Sequence, residues 1–186
     1  MVEDNREIKI VKKTFWLWQD ELEETWLSDM ASTGWHLVNI PKVSHYRFRK
    51  GSTKKVRYCL DYQNVSKEDE NYKNIFKDAG WEHLDSMGGW QYFRKEYYGD
   101  EGPEIFSDKN SKLQKYYRIL TFFGLLMLAL GVGLSVFSLI FISSNTDILS
   151  FFRGFFIGAY SMLVLSFTFI IGKIIARIRK IKKETG

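Results

Sequence analysis

Residues 119–142 read ILTFFGLLMLALGVGLSVFSLIFI, twenty-four residues without a charge, and residues 154–172 add a second uncharged run of nineteen, GFFIGAYSMLVLSFTFIIG. At about 1.5 Å of rise per residue the first run makes a helix of roughly 36 Å, enough to cross a hydrocarbon core of roughly 30 Å with some tilt. The second continues past Lys173 into Ile174, Ile175 and Ala176, and the lysine stem can snorkel to the headgroups. As buried helices of a soluble core, both runs would need protein on all sides, and 186 residues are too few for that. The sequence therefore predicts two transmembrane helices, at about 117–143 and 152–176 within a 116–176 segment.

The flanks set an expected orientation. Lys109, Lys112, Lys115 and Arg118 precede the first run, and Lys173, Arg177, Arg179, Lys180, Lys182 and Lys183 close the second. The intervening loop has only Arg153. The positive-inside rule then places the protein in the cell membrane as a multi-pass chain with both termini cytoplasmic, 177–186 forming a basic cytoplasmic tail. Gly131 and Ser135 on the first helix, and Gly154 and Gly158 on the second, have small-xxx-small spacing and are candidate helix-packing positions, within the hairpin or in a homodimer.

The net charge of +5 is unevenly shared. Residues 1–108 carry 16 Lys and Arg against 20 Asp and Glu; residues 109–186 carry 11 against 2. Basicity thus belongs to the membrane flanks, which favours the lipid bilayer as a partner and argues against nucleic acid. The single cysteine, Cys59, excludes an intramolecular disulfide and reads as a buried strand residue. The amino-terminal MVEDNREIKIVKK has no apolar stretch of signal-peptide type.

Residues 1–96 contain a duplication. Gly34-Trp35 aligns with Gly80-Trp81, Thr25-Trp26 with Asn71-Tyr72, Met30 with Phe76, and Phe48-Arg49-Lys50 with Phe93-Arg94-Lys95. Each copy reads as strand, helix, strand, strand. In the first, Asp20 and Glu23 have the spacing of an Asp-x-x-Glu capping box before a helix over Glu21 to Thr33, with Leu22, Trp26, Leu27 and Met30 as its apolar stripe. In the second, Ser66 to Asp69 resembles another capping box, and Tyr72, Ile75, Phe76 and Ala79 form the stripe. Gly34 and Gly80 are helix C-caps, Pro41 breaks the first hairpin, and Gly88-Gly89 turns the second. The expected fold is α+β: duplicated βαββ units forming one mostly antiparallel sheet with two helices on one face, a ferredoxin-like relative. Residues 97–115 read as a linker and juxtamembrane segment ahead of the hairpin.

Trp16-x-Trp18-Gln19, Gly34-Trp35-His36-Leu37, Asp61-Tyr62, Ala79-Gly80-Trp81 and Gly88-Gly89-Trp90-x-Tyr92-Phe93-Arg94-Lys95 resemble the bacterial domain-of-unknown-function 2812 family. The resemblance covers nearly all of the soluble part, and members commonly carry hydrophobic segments after it. It implies no activity. Members are often encoded beside PadR-like transcription regulators, which by association implies a sensing or regulatory setting.

No catalytic motif, phosphate loop or cofactor signature is present, so no enzyme, metal site or cofactor is expected. His36, His45 and His83 lack Cys or carboxylate at ligand spacing and read as solvated or capping residues. An enzyme would require a deep polar pocket holding Asp61, His36 or His83 with strongly shifted pKa values. The aromatic excess is the main clue to function: Trp16, Trp18, Trp35, Trp81, Trp90 and Tyr92 form a candidate binding surface, some of them sent to the helix-free face by the alternation of the strands, for an apolar ligand or a protein partner. The alternative is that they fill a two-layer core and a dimer seam. Arg47, Arg49 and Lys50, in the acid-free segment 42–57, join Lys112, Lys115, Arg118, Arg177, Arg179 and Lys180 as candidate lipid-facing basic residues. These features suggest a membrane-anchored sensor or regulatory accessory binding module. The competing expectation is an accessory subunit or immunity-type protein acting through its hairpin.

Overall fold

The computed structural model describes residues 7–63, 70–100, 102–103, 109–141 and 147–184, in two compact units, 1–115 and 116–186. In order they form β1 (Ile8–Lys12), α1 (Asp20–Ser32), β2 (Trp35–Lys42), β3 (His45–Lys50), β4 (Val56–Tyr62), α2 (Glu70–Asp78), β5 (Glu82–Met87), β6 (Trp90–Glu96), α3 (Lys109–Phe141) and α4 (Asp147–Glu184). The α+β class and the repeated βαββ order are as expected. The second capping box, at 66–69, lies outside the described residues.

The glycines act as expected. Gly34 (φ 84°) and Gly80 (φ 79°) take the left-handed conformation that ends a helix, and Gly88 and Gly89 (φ 59° and 87°) make a tight turn pairing Met87 with Trp90. The first hairpin differs. Pro41 lies inside β2, and the turn falls at Val43-Ser44, with Ser44 at φ 62°.

The strands form two antiparallel three-stranded sheets, β1-β3-β2 and β4-β6-β5, rather than one. The identical strand order reflects the duplication. β2 lies beside β5, yet no ladder joins them. Both are bulged, and their edge groups go elsewhere: the Ile40 N–H donates to Asp85 Oδ2 at 2.6 Å, and the Leu37 N–H to Tyr58 Oη at 3.3 Å. Side-chain acceptors have replaced the ladder partners that a continuous sheet requires.

The helices do not share a face. Along β4 and β6, Tyr58, Leu60 and Tyr92 join the core that Leu27 and Ala31 of α1 close, whereas Cys59 and Phe93 join the core that Tyr72 and Phe76 of α2 close. Alternating side chains point to opposite faces, so α1 and α2 cover the second sheet from opposite sides. This explains why β4 is buried at six of its seven positions. The helix stripes are rotated accordingly: Leu22 and Ile75 are exposed, and Asp20, Glu23, Leu27 and Ala31 line the buried side of α1.

The helices α3, which begins before residue 116, and α4 are long and apolar enough to cross a membrane, over Lys112–Val136 and Gly154–Lys183. Leu125, Leu128, Met162 and Leu165 all point outward, as expected of helices solvated by lipid. Phe123 meets Phe167 edge-on at 5.5 Å, and Arg177 Nε donates to Tyr116 Oη at 3.3 Å. A Cβ on Gly131 would lie 3.4 Å from the Tyr160 hydroxyl, whereas Gly154 and Gly158 face open space and Ser135 bonds back to the Gly131 carbonyl. The α3–α4 approach therefore sets a glycine against a tyrosine.

Candidate functional site

The first unit holds a concavity of about 220 Å3 built by four local features. After β1, Gln19 ties the chain into a turn: its N–H donates to the Trp16 carbonyl at 2.8 Å and its Oε1 accepts the Trp16 N–H at 3.0 Å. Trp16 is thereby held at the rim, stacked on Trp18 with centroids 5.5 Å apart. The Val43-Ser44 turn is fixed to the same loop by Lys13 N–H donating to the Ser44 carbonyl at 2.9 Å. The Gly88-Gly89 turn delivers Trp90, and α1 supplies the floor. Phe15, Trp16, Ile40, Tyr46, Trp90 and Tyr92 make the walls, and Asp20 and Glu23 bring carboxylates among them.

Those acids are buried, at 2% and 6% relative exposure. The Tyr46 and Tyr92 hydroxyls both donate to Glu23 Oε1, at 2.8 and 2.9 Å. Burial raises the Glu23 pKa, a shift that the two tyrosine bonds oppose and the nearby Asp20 reinforces. Burial and the Glu23 carboxylate likewise push the Tyr92 hydroxyl well up, so it remains a donor. Asp20 forms an ion pair with Lys115. Lys115 Nζ also donates to the Leu60 carbonyl at 3.0 Å and lies 6.0 Å from the Trp90 ring centre. The Leu60 N–H donates to Glu24 Oε1 at 2.8 Å. Glu24 and Lys115 thus satisfy both backbone groups of one residue on β4, the outer strand of its sheet, and close that edge. Burial raises the Glu24 pKa to about 7, opposed by the Lys115 charge.

The anticipated Asp-x-x-Glu capping box is not used as one. The N-cap of α1 is Gln19, without a side-chain cap bond, and Asp20 and Glu23 turn inward. Lys115 is likewise not lipid-facing: at 4% exposure it is spent on Asp20 and Leu60.

A second, polar concavity of about 450 Å3 lies where β2 and β3 meet β5 and β6 and includes both His36 and His83. Its polar groups pair with one another. Arg94 forks onto Glu82 at 2.8 and 3.0 Å, Lys54 meets Glu96 at 2.8 Å, and a His36 nitrogen lies 2.8 Å from the Ser52 carbonyl. His83 Nε2 lies 3.0 Å from Gln91 Oε1 and 3.2 Å from Ser86 Oγ, and burial lowers its pKa. Asp61 is elsewhere, accepting from Tyr72 Oη at 2.9 Å. Among the described residues no three His, Cys, Asp or Glu side chains converge as a metal site.

Of the six aromatics expected to share a surface, Trp16, Trp90 and Tyr92 line the 220 Å3 cavity, and Trp18 supports it through Trp16. Trp81 is buried with Phe76 and Phe93 in the α2 core. Trp35 packs against the α1 core with the Lys9 and Lys50 ammonium groups 5.2 and 4.7 Å from its ring centre. The expected helix-free aromatic face is therefore divided between a concavity and two cores. Arg47 and Arg49 of β3 stand opposite Ile10 and Ile8 of β1, both exposed, and Lys50 donates to the Thr33 carbonyl at 3.1 Å. Asp20, Glu23, Phe15 and Tyr46 were not legible as site residues. The usable signal was that Asp20, Glu23, Leu27 and Ala31 fall on one helical stripe.

Fold and site together define a class: a duplicated α+β domain with an aromatic, acid-floored cavity, joined to two helices of membrane-spanning length. The chain belongs to the family described as Protein of unknown function (DUF2812), which it matches over residues 19–128. That match takes in α1 through Leu128 of α3. No curated protein and no solved structure matches the chain.

Proposed function

We propose that this protein is a membrane-anchored binding module, a sensor or regulatory accessory whose α+β unit takes a small, largely apolar ligand into the Trp16–Trp90–Tyr92 cavity. The observation that supports it is the cavity's composition: aromatic walls in a concavity with an exposed rim residue, Val43, while Trp35 packs against one core and Trp81 lies in the other. Both termini face the cytoplasm in this reading, by the distribution of Lys and Arg.

Ligand-observed saturation-transfer NMR on the full chain in detergent, with indole as probe, tests the cavity. Transfer is expected for the wild type and strongly reduced in Val43→Trp, which roofs the mouth. Equal transfer in both would sink the proposal. An impermeant thiol reagent applied to intact cells should leave a cysteine introduced at position 2 unlabelled.

A second reading has one observation in its favour: Gly154 and Gly158 face open space at the spacing by which helices approach closely. In it the hairpin contacts a partner helix. Gly154→Leu with Gly158→Leu should then abolish co-purification with that partner while the α+β unit stays folded.

A further inference from the structure

The outer face of the first sheet, away from the cavity, combines cations with exposed apolar side chains and carries no acid. Residues paired across neighbouring strands project to the same side, and successive residues along a strand alternate. Tyr46 and Phe48 of β3 face inward, into the core that α1 closes. Their neighbours His45, Arg47 and Arg49 therefore face outward, as do the β1 residues paired with them, Lys12, Ile10 and Ile8. Lys42 of β2 pairs with the same His45, so two lysines flank one histidine across three strands. Ile8 and Ile10 are more than half exposed, and Lys12 and Lys42 are exposed beside them. Glu7 has the opposite parity, and residues 42–57 contain no acid. Among the described residues no helix packs on this face.

Two observations name the occupant. Residues 1–108 carry 16 Lys and Arg against 20 Asp and Glu, so an anionic surface repels this part of the chain except where its cations gather without acids. The chain also keeps such a surface within reach. Lys115 is held on Asp20, and the uncharged run begins at Ile119, four residues further on, a stretch that spans at most about 14 Å. We infer that this face docks on the anionic inner leaflet of the membrane, with Lys12, Lys42 and Arg47 meeting lipid phosphates and Ile8 and Ile10 entering between the headgroups. The inference rests on the membrane anchoring proposed above and is independent of the cavity's ligand. Each cation near such a surface favours the docked state by about fivefold, so Lys12 and Lys42 together supply about 30-fold. Because the tether makes docking intramolecular, that preference acts without the cost of a bimolecular encounter.

The test uses the full chain in nanodiscs of phosphatidylcholine, alone or mixed with phosphatidylglycerol, carrying a nitroxide on Ile10→Cys or, as control, on Ile75→Cys. Ile75 is exposed on α2, and buried Cys59 leaves the introduced thiol as the one labelled. Power-saturation EPR reads the label's accessibility to a water-soluble nickel complex. At position 10 accessibility should fall at least about threefold from neutral to anionic discs, and it should recover in Lys12→Gln/Lys42→Gln and at high ionic strength. At position 75 it should not change. Equal accessibility at position 10 in the two discs, a fall that survives either the double variant or the salt, or an equal fall at position 75 overturns the inference. Protection at position 10 already present in detergent, with dipolar broadening between labels, assigns the face to a second copy and overturns it as well. A chain that fails to enter the discs removes the anchoring reading and this inference together.

Discussion

Replacing Lys115 by Met tests the socket that closes the β4 edge. Asp20 and Lys115 are 2% and 4% exposed, so the substitution leaves a buried carboxylate with its opposite charge removed, and Glu24 loses the same cation. Removing one partner of such a pair costs about 3–5 kcal/mol. In a unit of this size each kcal/mol moves the melting temperature by about 4–8 °C, so a fall of at least about 12 °C is expected. All six tryptophans lie between positions 16 and 90, so thermal unfolding followed by tryptophan fluorescence reports the α+β unit of the full chain. Lys55→Ala, which removes an exposed bridge to Asp100, is the control and should change stability by less than about 1 kcal/mol. The double variant Asp20→Leu/Lys115→Met removes both charges and should recover most of the loss. A Lys115→Met melting point within error of Lys55→Ala would refute the reasoning.

Three further outcomes are expected. Between pH 4.5 and 7 folded Glu24 keeps a proton that the unfolded chain has released, so stability should fall as pH rises through that window, by at most about 3 kcal/mol from this group. Glu23, also raised, adds the same sign, and Glu24→Gln should visibly flatten urea midpoints measured from pH 5 to 7.5. Trp81→Ala, which empties part of the α2 core, should cost about 3–5 kcal/mol in urea unfolding, whereas Trp16→Ala at the exposed rim should cost less than about 1 kcal/mol. Gly34→Ala and Gly80→Ala are equivalent in the repeat and should differ in melting temperature. Both strain a positive φ, but a Cβ at position 34 meets the Gly51 carbonyl oxygen at 2.7 Å, and one at position 80 meets only the flexible Lys95 side chain at 3.3 Å.

The elements read from local pattern are those whose cause is local. The uncharged runs give the long helices, Gly34 and Gly80 give the helix ends, Gly88-Gly89 gives the turn, and the repeat predicts the common strand order. What the pattern missed is set by distant partners. An acid at the start of a helix is ordinarily a cap, and only the hydroxyls of Tyr46 and Tyr92 and the ammonium of Lys115 turn Asp20 and Glu23 into a floor. Leu22 is exposed for the same reason, since counting Asp20 and Glu23 as solvent-facing rotates the α1 stripe toward Leu22. Whether six strands join into one sheet depended on where the Leu37 and Ile40 N–H groups found acceptors, and Tyr58 and Asp85 lie 21 and 45 residues away.

The most direct measurement is the set of tryptophan indole N–H resonances of the full chain in deuterated detergent, followed while indole is added. Those of Trp16 and Trp90 should shift saturably while those of Trp81 and Trp35 stay in place. Saturable shifts at Trp81 or Trp35 instead, or none at all, would contradict the assignment of the cavity as the binding site.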